Sequence, residues 1–235
     1  MLPTDRFDVD RQPVYPAIAW CLLVAAALFV YWPGLDGPFL LDDFGSLGEL
    51  GNRGGVVDWG TFVDFVFGGK SGPTGRPLAL ATFLVDAQNW PAEAFVFKRT
   101  NLVIHILCGL TLYFVTRRLL LLLNGDSARV NLPALTVAGI WLLHPFLVST
   151  TLYVVQRMAQ LSTLFVLVGL LGYLRGRVLL TINPRRAYIW MTLSIGAGTV
   201  CAMLSKENGI LLPALVATLE VTLVASRRHS VGSLN

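Results

Sequence analysis

The sequence predicts an all-α fold, a polytopic membrane bundle of about six transmembrane helices. Three observations carry this. Only 14% of residues are charged and 54% are hydrophobic, where a soluble domain has about a quarter charged. The mean hydropathy is +0.65. The apolar residues are also grouped, in windows of roughly 15 to 25 residues nearly free of charge, long enough to cross a hydrocarbon core. The net charge of +4 calls for no nucleic acid, because arginine beside membrane spans is what an inner-facing surface requires.

The first span runs from about Tyr15 to Tyr31, between Pro16 at its entrance and Pro33 at its exit. Before it stands MLPTDRFDVDRQP, acidic and followed by no small-residue cleavage site, which reads as a retained anchor. A polar excursion at 34–93 follows, rich in glycine and carrying eight acidic residues. Two apolar pieces in it, VDWGTFVDFVFG and RPLALATFLV, suit short helices against the bilayer surface. The remaining spans lie at about Phe95–Thr116, Leu132–Thr150, Met158–Leu174, Ala187–Leu204 and Ile210–Ala225. Cys21, Cys108 and Cys201 all fall inside apolar runs and read as small buried hydrophobes, with no disulfide framework.

The short linkers set the orientation. Arg117, Arg118, Arg175, Arg177, Arg185, Arg186, Arg227 and Arg228 fall at one set of helix ends, with Arg6, Arg11 and Arg129. Most basic residues on the other side, Lys70 among them, lie in or beside one long loop, which weighs less. Both termini are therefore expected inside. Residues 1–14 form a cytoplasmic tail, 15–225 a transmembrane domain with the large outer loop 34–93, and 226–235 a second cytoplasmic tail.

Asp42 and Asp43 then sit at the outer mouth of span one. Adjacent acids cannot share a helical face, but a bend can present both to one ligand, for proton transfer or for a divalent cation. They also occur in ordinary solvated loops, although LLDDF keeps apolar neighbours where unpaired charge is costly. Asn101 and His105 lie four apart on one face of span two. His105 faces either a polar cavity or a neighbouring helix that takes its hydrogen bond. His144-Pro145 marks a kink in span three. Gln156 and Arg157 open span four from the outside, where the arginine either meets an anionic partner or snorkels to lipid phosphate. Lys206 and Glu207 form a loop pair between spans five and six, unless Lys206 turns inward as a phosphate-binding charge. Arg76 in GRPL suits a bidentate phosphate contact or plain solvation.

The ordered motifs LLDDF, GRPL…TF, NLxIH, HPF…YVVQRMAQLSTLF…GY and LSKENGILLP give a further reading. Across about residues 20–215 the chain resembles the membrane part of multi-spanning glycosyltransferases of the C-type fold. In particular it is similar to the O-mannosyltransferase-like proteins that join such a region to tetratricopeptide repeats, and to their bacterial relatives. The resemblance implies sugar transfer from a polyprenyl-phosphate-linked donor to an acceptor hydroxyl of a protein or glycan, outside the cytoplasm. It implies that Asp42 or Asp43 acts as general base or helps hold a divalent cation (Mg or Mn), with Asp43 slightly favoured for the acceptor. Arg76, Arg157 and Lys206 would neutralise the departing lipid phosphate. Asn101, His105, His144 and Gln156 would support the site, and Glu207 would position Lys206.

Such enzymes have more spans, and the tetratricopeptide relatives continue into a soluble domain. This chain stops at HSVGSLN and is expected to be a truncated product lacking a C-terminal membrane or repeat portion, the product of a fragmentary gene, or a compact variant. The competing readings are a non-catalytic scaffold, a fragment of a split transferase, and an anionic-lipid transporter. The absence of a duplicated half and the large outer loop disfavour the transporter. The expected location is a bacterial plasma (inner) membrane, with the endoplasmic reticulum membrane its eukaryotic counterpart.

Overall fold

A computed structural model describes residues 15–69, 72–124 and 129–232. The expected tail at 1–14, with Arg6 and Arg11, and Lys70 in the outer loop lie outside the described residues, as do residues 233–235 of the second tail. Within the described residues the fold is all-α, with ten helices: α1 (Tyr15–Tyr31), α2 (Asp42–Leu47), α3 (Trp59–Phe67), α4 (Pro77–Phe83), α5 (Ala94–Asn124), α6 (Asn131–Leu142), α7 (Leu147–Leu152), α8 (Arg157–Leu179), α9 (Pro184–Ser205) and α10 (Leu212–Gly232).

Among the described residues, four helical stretches are long and apolar enough to cross a membrane: Tyr15–Gly34, Ala94–Leu123, Val154–Leu179 and Pro184–Ser205. The chain is a multi-pass membrane protein. Half of the α8 stretch is buried, against 11% for α1, so α8 is the centre of the bundle and α1 offers most of its surface to lipid. Close approach of α8 to α9 depends on small residues. A Cβ on Gly176 would stand 3.1 Å from the Ala187 carbonyl oxygen and from the Met191 nitrogen, so only glycine lets the two backbones meet there.

Two expected spans take a different form. The third is broken into α6 and α7 at His144-Pro145. Proline has no N–H for the helix ladder and its ring clashes with the preceding turn. At 12 residues, α6 is about 18 Å long, short of a ~30 Å hydrocarbon core. The sixth is entered through a 3-10 turn, Glu207–Leu211, before α10 begins. Conversely, α5 runs on through Arg117, Arg118 and the leucine run to Asn124.

The loop at 34–93 is folded over its described residues. Its two apolar pieces form α3 and α4, as expected. Asp58 caps α3, accepting from the Thr61 backbone N–H at 2.8 Å while the Thr61 hydroxyl accepts from the Asp58 N–H at 3.0 Å. In α4, Pro77 takes the first turn, where a missing N–H costs nothing. Leu47, Leu50, Phe65, Leu80 and Phe83 from this loop share one core with Phe97 of α5 and Met158 of α8. The loop is therefore a lid packed on the start of α8.

Candidate active site at the start of α8

The segment Tyr153–Met158 gathers most of the polar residues singled out above. A bend makes this possible. Leu41 takes a positive φ of 21°, uncommon for a non-glycine residue, and turns the chain so that α2 opens on Asp42-Asp43. The Leu40 carbonyl accepts from the Asp43 N–H at 2.7 Å, and the Leu40 N–H donates to Asp43 Oδ2 at 2.8 Å. Asp43 Oδ1 accepts from the Val155 N–H at 2.7 Å. Asp43 is thus fully buried, with both oxygens held by backbone donors that fasten the 34–93 loop to the turn before α8. Burial pushes its carboxyl above the ordinary carboxylate value, and the Leu40, Val155 and Val154 N–H groups and Lys98 only partly offset this.

Asp42 differs from its neighbour. It is exposed, and its backbone N–H donates to the Tyr153 hydroxyl at 2.9 Å. Partial burial and the two aspartates raise the Tyr153 phenol above its usual value. The pair therefore divides into one carboxylate that anchors and one that faces outward. The expectation that Asp43 would meet the acceptor does not fit its burial. A cation shared by both carboxylates would have to compete with the N–H donors on Asp43, and the described residues bring together no group of three or more His, Cys, Asp or Glu able to hold a metal.

Arg157, expected at a donor phosphate, is instead fully buried. Its Nη2 lies 2.5 Å from Asp86 Oδ2 and donates to the Phe97 carbonyl at 2.9 Å. Nε donates to Asn101 Oδ1 at 2.7 Å and Nη1 to the Thr82 carbonyl at 3.0 Å. Its plane stands over the Phe83 ring at 4.6 Å. Asn101 in turn donates to the Tyr153 and Val154 carbonyls, and Thr100 donates to Asp86 Oδ1. This network locks α4, α5 and α8 together and leaves the guanidinium no room for a ligand.

Arg76 is placed differently. Its left-handed backbone (φ 55°) starts α4, and its guanidinium grips Glu207 in a two-point pair, Nε to Oε1 at 3.2 Å and Nη2 to Oε2 at 3.0 Å. Desolvation opposes the Glu207 charge, but Arg76 and Lys206 outweigh it and hold the carboxyl below its ordinary value. Glu207, expected to position Lys206, thus positions Arg76. Nη1 of Arg76 reaches Met158 Sδ at 3.3 Å. The Lys206 carbonyl accepts from Ser162 at 3.4 Å. Its ammonium has no acidic hydrogen-bond partner among the described residues. Gln156, half-buried, precedes α8 without capping it.

His105 has a structural part. The break at Pro145 frees the Leu142 carbonyl, and His105 Nε2 donates to it at 2.9 Å while the ring stacks on Trp141 at 4.7 Å. Tyr31 reaches the same carbonyl at 3.5 Å. His105→Phe keeps the stacking and removes the donor, so it is expected to cost about 1–3 kcal/mol, measured as a lowered unfolding temperature in detergent. His144 is exposed at the break, its Nδ1 accepting from the Phe146 N–H at 3.2 Å.

Sequence reasoning missed Asp86, Tyr153 and Lys98. Lys98 is buried and donates to the Gly37 carbonyl at 2.7 Å, pinning the exit of α1. A buried arginine requires a carboxylate, and the lone acid in FLVDAQNW was the available signal.

Comparison with known proteins agrees with the motif reading. The chain is 28% identical over 223 residues to human protein O-mannosyl-transferase TMTC1, covering 86% of this chain and 24% of that protein. It is 26% identical over 224 residues to the mouse protein of the same name, covering 88% and 23%. The chain is thus weakly homologous to this O-mannosyltransferase. It spans about a quarter of the length of these curated relatives. No family model and no solved structure matches.

Proposed function

We propose that this chain is the membrane part of a C-type-fold glycosyltransferase, moving a sugar from a polyprenyl-phosphate donor to a hydroxyl of a protein or glycan on the extracytoplasmic side. The N-terminus faces the cytoplasm, and the membrane is a bacterial plasma membrane or its eukaryotic counterpart. The observation that carries the reading is the division of labour in the acidic pair: Asp43 is buried and fixed, and Asp42 is exposed beside the Tyr153 hydroxyl.

In this mechanism the acceptor oxygen forms a bond to the anomeric carbon as the bond from that carbon to the phosphate oxygen breaks. The hydroxyl proton passes to Asp42, and negative charge grows on the departing lipid phosphate. Arg76, preset by Glu207, and Lys206 neutralise that charge. If a divalent cation (Mg or Mn) takes part, Asp42 is the carboxylate open to it.

The test is transfer of labelled sugar from polyprenyl-phosphate donors by membranes carrying the protein together with any polypeptide encoded beside it. Asp42→Asn is expected to lower the rate by about a hundredfold or more with unchanged unfolding behaviour. Full activity in Asp42→Asn overturns the assignment. A scaffold reading gains support from the pairing of Arg157 and Arg76 with carboxylates. It predicts no transfer by folded protein with any donor in a broad panel.

A further inference from the structure

At the opposite end of the bundle, roughly 24 Å along α5 from Asn101 and roughly 27 Å along α8 from Arg157, lies a second polar hollow. Helices α5, α8 and α9 enclose a cleft of about 420 Å³ whose lining includes Arg117, Arg118, Arg175, Trp190, Phe114 and Val168. Three arginines thus line one space.

Residues 127–206 contain no acidic residue. Glu220, which meets this end of α8, is occupied by Arg177 at 2.6 Å and by the Tyr173 hydroxyl. Among the described residues neither Arg118 nor Arg175 has an acidic partner.

The cleft is nevertheless built. Asn131, 5% exposed, accepts from the Tyr113 hydroxyl at 3.2 Å and from Arg117 Nε at 2.8 Å, which steers Arg117 from behind. Arg175 stands over the Trp190 ring at 5.4 Å. That contact keeps the guanidinium beside the cleft, the side chain is exposed, and an arginine fork suits two phosphate oxygens at once. Beside the arginines the wall turns apolar, and Phe114 and Val168 are 43% and 50% exposed.

We infer that this cleft binds the phosphate of an anionic phospholipid, with the headgroup on the three arginines and the upper acyl chains along Phe114 and Val168. A lipid fits better than a soluble phosphate, because the cationic and apolar walls are continuous and lie at the end of membrane-spanning helices. On the orientation that the charge pattern predicts, the lipid comes from the cytoplasmic leaflet, where anionic lipids attract basic residues. This site does not depend on the chemistry proposed for Asp42.

The experiment measures retention of short-chain phosphatidylglycerol by the purified full chain in zwitterionic micelles, using native mass spectrometry and the rise in unfolding temperature. Phosphatidylcholine and inorganic phosphate are run in parallel. Wild type is expected to retain phosphatidylglycerol over phosphatidylcholine, and Arg118→Gln/Arg175→Gln to weaken that retention by roughly tenfold or more. Both positions are exposed, so the variant is expected to unfold as wild type does in phosphatidylcholine alone. Arg185→Gln, at the same end but outside the cleft, is expected to change nothing. Equal retention by the double variant overturns the proposal. So does an equal loss in Arg185→Gln, or a stabilisation by inorganic phosphate as large as that by the lipid.

Discussion

Replacing Arg157 with methionine is expected to destabilise the protein by about 3–5 kcal/mol, the largest single effect anticipated for this chain. The reason is an asymmetry. Removing one member of a buried ion pair strands the other, and here Asp86 would be left charged with its side chain only 2% exposed. The loss extends further, because Asn101 Oδ1 and the Thr82 and Phe97 carbonyls all accept from the same guanidinium. Denaturant or thermal unfolding in detergent measures the cost. Arg157→Met made on an Asp86→Asn background is expected to cost clearly less, since the stranded charge is already gone. A single variant within about 0.5 kcal/mol of wild type would rule out the locking role.

The second large effect belongs to Asp43. Asp43→Ala leaves the Leu40 and Val155 N–H groups without their acceptor, at about 1–3 kcal/mol for the buried Val155 donor, and loosens the 34–93 loop from α8. Asp43→Asn keeps one acceptor and is expected to cost less. The pH dependence has a definite sign. Because burial raises the Asp43 carboxyl above its ordinary 3.8, the folded state binds that proton more tightly than the unfolded state. Its contribution to stability is fully present below 3.8, falls as pH rises through the raised folded value, and is level beyond it. Asp43→Asn removes this slope. A slope that survives in Asp43→Asn belongs to another group and would refute the assignment. In the transfer assay, activity lost in Asp43→Asn should return under conditions that restore folding, whereas Asp42→Asn stays inactive while folded.

The candidate site was partly legible. LLDDF pointed to the right bend, and Asn101, Arg157, Arg76 and Glu207 all meet around the first turn of α8 or the residues just before it. Which carboxylate each cation takes was not legible. Arg157 lies 71 residues from Asp86, and Arg76 lies 131 from Glu207, and nothing in the local sequence of either arginine encodes that choice. His105 shows the same limit from the other side. Its depth in the helix followed from counting residues, but its partner exists only because Pro145 frees a carbonyl on a different helix.

By itself the sequence determined that the chain is helical, that it lives in a membrane, and about where most spans fall. Hydropathy and helix-breaking residues act over a single turn or a single span, so they can be read along the chain. Only the tertiary structure decided that the third span is two short helices, that Asp43 is an anchor and Asp42 is open, and that Arg157 is spent on the core. Those outcomes depend on which polar groups lose water together when distant segments pack, and burial is a property of the packed chain, not of any residue in it.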